Sequence, residues 1–260
     1  MARVWVKMRY DNDMQMEIPH SLNIATAMMG FRALGAVLLP YHTIDEIYDD
    51  VSAEDIVLDY IQQCGEVFAK FGVTPFVPDY PEVMAPFLGR RIWQDTMNHV
   101  ASDERLWAAG YFVKPIESKV FTGKIIRSIG DLVGCGNSEE DVAVLISEPL
   151  DIVAEWRGFI RYDRLIDVRP YGSLTHLNYE GYRYHYDVTM QEAMLAAFRR
   201  WEGRPAACCM DICVTKDGRT LLVEMNDAYA LGCYGLPSLL YAKFISARWS
   251  ELLNREDVYR

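Results

Sequence analysis

The sequence predicts an α/β protein. Three observations carry that prediction: an alternating strand at the start, a strand-then-helix order through the first third, and strands that come in pairs through the second half.

Residues 3–10 set Val4, Val6, Met8 and Tyr10 on one side and Arg3, Trp5, Lys7 and Arg9 on the other, the period of a half-buried strand. Helical spacing over 23–34 leads into a short apolar run at 36–40, expected to be a buried strand. A strand at 55–58 and a helix at 62–71 then repeat the order. Such alternation implies parallel pairing, because a crossover must return the chain to the same end of the sheet. Pro75, Pro78, Pro81 and Pro86 bar a continuous helix or central strand, so 75–86 is expected to connect subdomains. Between 88 and 100, Ile92, Trp93, Met97 and Val100 recur at helical spacing.

Beyond that point the pattern changes to strands at 110–115, 142–147, 153–161 and 165–171, the last two joined by Tyr162-Asp163-Arg164, and antiparallel pairing is expected. Residues 189–201 read as a helix, with Thr189 and Glu192 spaced as a capping box. Met190, Met194, Ala197 and Trp201 fall on one face, and Gly203 and Pro205 stop the helix. Strands at 207–214 and 220–226 flank the turn Lys216-Asp217-Gly218-Arg219, and Pro237 opens a last amphipathic helix through Leu240, Phe244 and Leu252.

With 260 residues, 51% of them hydrophobic, the chain can bury a large core in one unit or in two to three subdomains closing around a cleft. Acidic residues outnumber basic ones by 37 to 26, a net charge of −11 that makes nucleic acid and anionic lipid unfavourable partners. No apolar run reaches the length of a membrane span, and the charges at Arg3, Lys7 and Arg9 interrupt what a secretory signal would need, so a cytoplasmic protein is expected. The six cysteines have neither zinc spacing nor the pattern of a disulfide framework and are expected to be buried thiols.

The turn at 216–219 fixes the most informative placement. Pairing Thr215 with Thr220 sets Asp211 opposite Glu224 and Cys209 opposite Asn226, so three oxygen-bearing side chains share one face. Facing carboxylates need a cation or a proton between them, and magnesium favours such hard oxygen donors. A solvated polar edge on an ordinary hairpin is the alternative. Lys114 closes a strand before a turn, where its ammonium can reach a phosphate or remain an exposed strand-end lysine. The Lys119-to-Gly123 stretch can form a phosphate-covering flap or a plain surface turn. Arg157 shares a strand face with Glu155 and Phe159; it suits a γ-phosphate or a substrate carboxylate, or a surface pair with Glu155.

Met210-Asp211-Ile212 with Leu222-Val223-Glu224-Met225-Asn226-Asp227 resembles the closing strands of the ATP-grasp superfamily, in which an Asp and a Glu-x-Asn hold magnesium on ATP. Residues 228–236 resemble the continuation found in a little-characterised bacterial and phage clade. Phe112-Val113-Lys114-Pro115 with Lys119, Phe121, Thr122 and Gly123 resembles that clade's nucleotide-gripping strand and loop. Ser147, Glu148 and Leu150 fall where the adenine hinge belongs, and Glu155-Trp156-Arg157-Gly158-Phe159 resembles the strand that follows. The resemblance spans about residues 88 to 236 in the superfamily's order. Where many members carry an earlier lysine, this chain offers Arg90 and Arg91, either of which can replace it or lie on a solvated face.

The resemblance implies an ATP-grasp fold of α+β lobes holding ATP between them, with a pre-ATP-grasp subdomain at 1–87, a nucleotide lobe at about 88–150 and a metal-binding lobe at about 151–260. It also implies ATP and Mg2+ as cofactors, with Lys114, Lys119, Ser147, Glu148, Leu150 and Arg90 on the nucleotide, Arg157 and Lys119 catalytic, and Asp211, Glu224 and Asn226 on the metal. The implied activity joins a small-molecule or peptide carboxylate to an amine through an acyl phosphate. A small-molecule phosphotransferase and a nucleotide-binding regulatory module are the alternatives. Residues 171–186, with five tyrosines and two histidines including His176, are expected either to cover a substrate or to make a homo-oligomer contact.

Overall fold

The architecture is that of a computed structural model, which describes residues 2–116, 120–136, 140–171 and 183–260. The chain forms two compact units, one from Met1–Phe87 with Val153–Arg260 and one from Leu88–Ile152.

The first unit opens with β1 (Arg3–Asp11), which turns back as β2 (Met16–Pro19) in an antiparallel hairpin that the alternating pattern alone does not announce. Helix α1 (Leu22–Ala33) is capped by the Ser21 hydroxyl on Ile24 N–H; β3 (Val37–Tyr41), β4 (Ile56–Leu58) and α2 (Ile61–Lys70) follow. Both β3 and β4 pair with β1 in parallel, as the strand-then-helix order requires. The proline-rich stretch ends in a 3-10 turn at Glu82–Phe87 rather than an α-helix.

The same unit contains a second sheet in the order β10-β9-β11-β12, built from β9 (Ile152–Arg161), β10 (Arg164–Pro170), β11 (Ala207–Thr215) and β12 (Thr220–Asp227). Arg164 belongs to β10, so the β9–β10 hairpin turns on Tyr162-Asp163 alone, Tyr162 having a left-handed φ of 57°. Helix α5 (Val188–Arg200) starts two residues earlier than its capping-box spacing implies, because the Asp187 carboxylate accepts Thr189 N–H and serves as the cap. Helix α6 (Ser238–Leu252) packs along α1 behind Pro237. One apolar core runs through this unit, joining Val4, Phe31, Val57 and Phe68 to Phe159, Cys209, Phe244 and Trp249. All six cysteines are buried free thiols.

The second unit is an antiparallel sheet in the order β5-β8-β6-β7, formed by β5 (Ile92–Thr96), β6 (Phe112–Pro115), β7 (Lys124–Ile125) and β8 (Ala143–Ser147). Its helices are α3 (Met97–Ser102) and α4 (Glu104–Ala108), and its core gathers Val100, Val113, Ile126, Val144 and Ile146. The helix expected from the spacing of Ile92, Trp93, Met97 and Val100 is therefore a strand followed by a short helix. Ladder pairing of Ile92 to Thr96 with β8 overrides the period, and the Thr96 hydroxyl caps α3 at His99 N–H.

Candidate functional site

Within the second unit, β6 places Lys114 opposite Leu145 of β8. The chain after Phe121 lies so close to this strand that a Cβ on Gly123 would sit 2.9 Å from the Lys114 Cβ and 2.7 Å from the Phe112 ring, contacts only glycine permits. At the end of β8, Ser147 is buried and in register with both Ile92 and Phe112. Glu148 brackets Arg91 from both sides: its carboxylate accepts Arg91 N–H at 3.0 Å and its own N–H donates to the Arg91 carbonyl at 3.3 Å. Leu150 is half-buried. Arg90 donates to the Leu88 carbonyl at 3.1 Å, whereas the Arg91 guanidinium stacks 4.5 Å from the Trp93 ring. Lys119 lies outside the described residues.

Within the first unit, the β11–β12 hairpin brings the second group together. Asp211 pairs with Glu224 and Cys209 with Asn226, the register expected at these positions. The route to it differs: Val214, not Thr215, pairs with Thr220, and a bulge at Val223 restores the register before Glu224. The Asn226 amide nitrogen lies 2.9 Å from Asp211 Oδ2 and 3.1 Å from Glu224 Oε1, tying the three side chains into one cluster. Next to it, Asp227 turns away and is gripped by Arg248 of α6 through two hydrogen bonds of 2.7 and 2.6 Å, which anchors the end of β12.

Arg157 on the neighbouring strand β9 completes the cluster. Its Nε and Nη2 donate to the two Asp211 oxygens at 2.8 and 2.6 Å, with both residues buried. The surface pair with Glu155 considered from the sequence is therefore not formed, because Arg157 turns to Asp211. Gly158 lets β9 come this near: a Cβ there would meet the Met210 carbonyl at 3.2 Å. The guanidinium lies 4.8 and 4.6 Å from the rings of Tyr171 and Tyr234, which stack on each other, and Tyr234 adopts a left-handed φ of 46° that is sparsely populated for a bulky residue.

Negative charge is crowded in this cluster. Glu155, two positions before Arg157 and on the same strand face, has no hydrogen-bond partner for its carboxylate among the described residues. Burial, then the Asp211 and Glu224 carboxylates, raise its pKa to about 7. Burial likewise pushes Asp211 upward, with Glu224 adding to the push while Arg157 and Asn226 oppose it. Burial opposes the charge on Arg157 as well, but the Asp211 hydrogen bonds and the Asp211 charge together outweigh it and raise the guanidinium further. The carboxylates of Glu155, Asp211 and Glu224 thus lie close enough to act on one another, a crowding of negative charge that a cation would relieve.

Among the described residues no group of three or more His, Cys, Asp or Glu is arranged to hold a metal ion. The candidate set is instead two carboxylates and an amide, a hard-oxygen set whose chemistry fits magnesium, which usually keeps waters and phosphate oxygens for its other positions. Arg157 engages each Asp211 oxygen once and Asn226 takes the second lone pair of Oδ2, so Oδ1 is the oxygen that keeps one. Glu155, Tyr234 and the Arg157–Asp211 pair are the features that sequence reasoning missed. For Glu155 the signal was its alternation with Arg157. Of residues 171–186, Tyr171 stacks over Arg157 and Tyr186 contacts Trp156 edge-on at 5.2 Å, while residues 172–182, including His176, lie outside the described residues.

The fold is similar to that of several solved structures. The D-alanine–D-alanine ligase of Bacillus anthracis matches with a TM-score of 0.55 at 12% identity over 98% of this chain and 99% of that one. Its ATP complex matches at 0.53, with 13% identity over 98% of both chains. The macrocyclase MdnC of Microcystis aeruginosa, solved with its precursor peptide MdnA, matches at 0.51 with 12% identity over 94% of this chain and 99% of that one. At such identities the likeness is one of fold, the ATP-grasp fold with its mixed helix and sheet. The chain belongs to an ATP-grasp domain family, family 2 of its clade, whose profile matches residues 87–244. No curated protein sequence matches it. No helix among the described residues is long and apolar enough to cross a membrane.

Proposed function

We propose that the protein is an ATP-dependent, magnesium-requiring ligase that joins a carboxylate to an amine or similar nucleophile. The observation that carries this reading is the Asp211, Glu224 and Asn226 cluster, closed by Arg157, on the closing strands of a chain that belongs to an ATP-binding family. In the reaction a substrate carboxylate oxygen attacks the γ-phosphorus and ADP leaves. The amine then attacks the acyl carbon, the carbon–oxygen bond breaks, and inorganic phosphate departs as the amine loses its proton.

Asp211, Glu224 and Asn226 would hold magnesium, which supplies charge neutralisation for the transferring phosphoryl group. Lys114, Lys119 and Arg90 are assigned to the nucleotide phosphates, and Ser147, Glu148 and Leu150 to the adenine hinge. Arg157 orients the γ-phosphate or the acceptor carboxylate with the Nη1 that Asp211 leaves over, and Lys119 assists. Residues 88–150 serve as nucleotide lobe, 151–260 as metal-binding lobe and 1–87 as the subdomain preceding them, in a protein acting in the cytoplasm. The substrate classes are small-molecule or peptide carboxylates and amines. The dipeptide ligase and the precursor-bound macrocyclase, each built on this fold, support both classes.

The test is a screen of ATP turnover against pools of amino acids, polyamines, peptides and carboxylates, with mass analysis of products. Free phosphate released together with a condensed adduct supports the ligase. A phosphorylated acceptor without adduct makes the protein a phosphotransferase instead.

A further inference from the structure

The first unit holds a cavity whose chemistry the ligase reading does not use. It has a volume of about 610 Å3, within the range of small-molecule sites, and lies at the amino-terminal edge of the parallel strands β3, β1 and β4. Arg3, Ser52, Asp55, Arg255, Val258 and Tyr259 form part of its wall.

Two arginines meet there in different circumstances. Arg3 is satisfied: its Nε and Nη2 donate to the two Asp55 oxygens at 2.8 and 2.6 Å, and Asp55 also accepts from Trp5 Nε1 at 3.1 Å and Ser52 N–H at 3.0 Å. Asp55 is thus already paired with Arg3, with three of these four bonds on Oδ2 and one on Oδ1. Arg255 reaches only main-chain carbonyls, that of Glu54 and that of Asp55 at 3.2 Å, and forms no ion pair among the described residues. Its Nε is buried and has no acceptor among them. Of the two other nearby acids, Asp257 is engaged by Arg161, Tyr162 and Ser246, and Glu54, exposed on the cavity wall, forms no ion pair with Arg255. Burial lowers the Arg255 pKa although Glu54, Asp55 and Asp257 pull it upward, the mark of a desolvated cation short of a bonded counter-charge.

Nη1 and Nη2 each keep one N–H beyond their main-chain bonds, and a guanidinium without an ion pair is matched in shape by a carboxylate or a phosphate. We propose that this cavity is a binding site for the oxyanion of a small molecule, a carboxylate or a phosphate ester, recognised by Arg255 and separate from the nucleotide and metal residues.

The inference does not depend on the ligase reading, and its test needs neither ATP nor magnesium. Melting of the full chain is followed with inorganic phosphate or citrate against chloride at matched ionic strength, in wild type, Arg255→Gln, Val258→Trp and Lys114→Ala. Val258 is 63% exposed at the rim, so Val258→Trp fills the cavity mouth without entering the core and decides the matter where Arg255→Gln does not fold. Both anions stabilise proteins in general by exclusion, and that part is common to every variant. The proposal predicts an additional rise of a few degrees in wild type and Lys114→Ala that is lost in Arg255→Gln and Val258→Trp. A response to phosphate alone assigns a phosphate ligand, and one to citrate alone a carboxylate. Equal shifts in all four proteins, or a loss confined to Lys114→Ala, overturn it.

Discussion

Replacing Glu155 with Gln isolates the crowding of negative charge at the cluster, because the change is nearly isosteric and the carboxylate has no hydrogen bond to lose among the described residues. The folded-state pKa of about 7 stands above the ordinary value of 4.5, so the folded protein keeps a proton that the unfolded chain releases. The stability Glu155 contributes is therefore fully present below pH 4.5 and is lost as pH rises through about 7, beyond which both states are ionised. The shift corresponds to roughly 3 kcal/mol at 1.36 kcal/mol per unit, which solvent screening of a half-buried group reduces to about 2 kcal/mol. Gln carries no such charge. Its melting temperature should match wild type near pH 4.5 and exceed it by roughly 4–8 °C at pH 8, taking about 2–4 °C per kcal/mol for a chain of this size. Scanning calorimetry of both proteins without metal, from pH 4.5 to pH 8, gives the difference with all other titrating groups cancelled. A difference that is constant with pH, or largest at low pH, refutes the reasoning.

Breaking the buried pair by Arg157→Met leaves Asp211 facing two carboxylates uncompensated and should cost about 3–5 kcal/mol, whereas Arg157→Met combined with Asp211→Leu should recover most of that loss in denaturant unfolding. Lys114→Ala should weaken ATP affinity at least tenfold in calorimetric titration with little change in apo melting, since one charge-assisted phosphate contact is worth about 1.5–3 kcal/mol. Asp227→Asn should do the opposite: it removes the charge that Arg248 grips, so urea unfolding shifts by about 1–3 kcal/mol while ATP affinity per folded molecule is retained.

The sequence made the hairpin cluster legible because the turn at 216–219 and the identity of the facing residues suffice to bring Asp211 to Glu224. The bulge at Val223 was not legible, since no local pattern marks it; the correct register came from a pairing near the turn that is itself off by one residue. Apart from β2, the strands and helices of the first third followed from periodicity, but 88–100 did not, because a short apolar run fits either period and only the partner strand β8 decides it. Thr189 reads as the cap, but the Asp187 carboxylate takes that place by accepting the Thr189 N–H. The Arg157–Asp211 pair joins residues 54 positions apart and depends on β9 lying beside β11, an order the sequence does not state.

The most direct measurement is Glu224→Gln, compared with wild type for apo melting temperature and for magnesium-dependent ATP turnover. Glu224 adds to the negative charge that raises both Glu155 and Asp211, so its neutralisation should leave apo melting unchanged or raise it. Turnover should fall by orders of magnitude and recover in part at excess magnesium, because Asp211 and Asn226 still offer a weaker site. A destabilised fold with normal turnover per folded molecule would contradict the account and make Glu224 a structural residue of the hairpin.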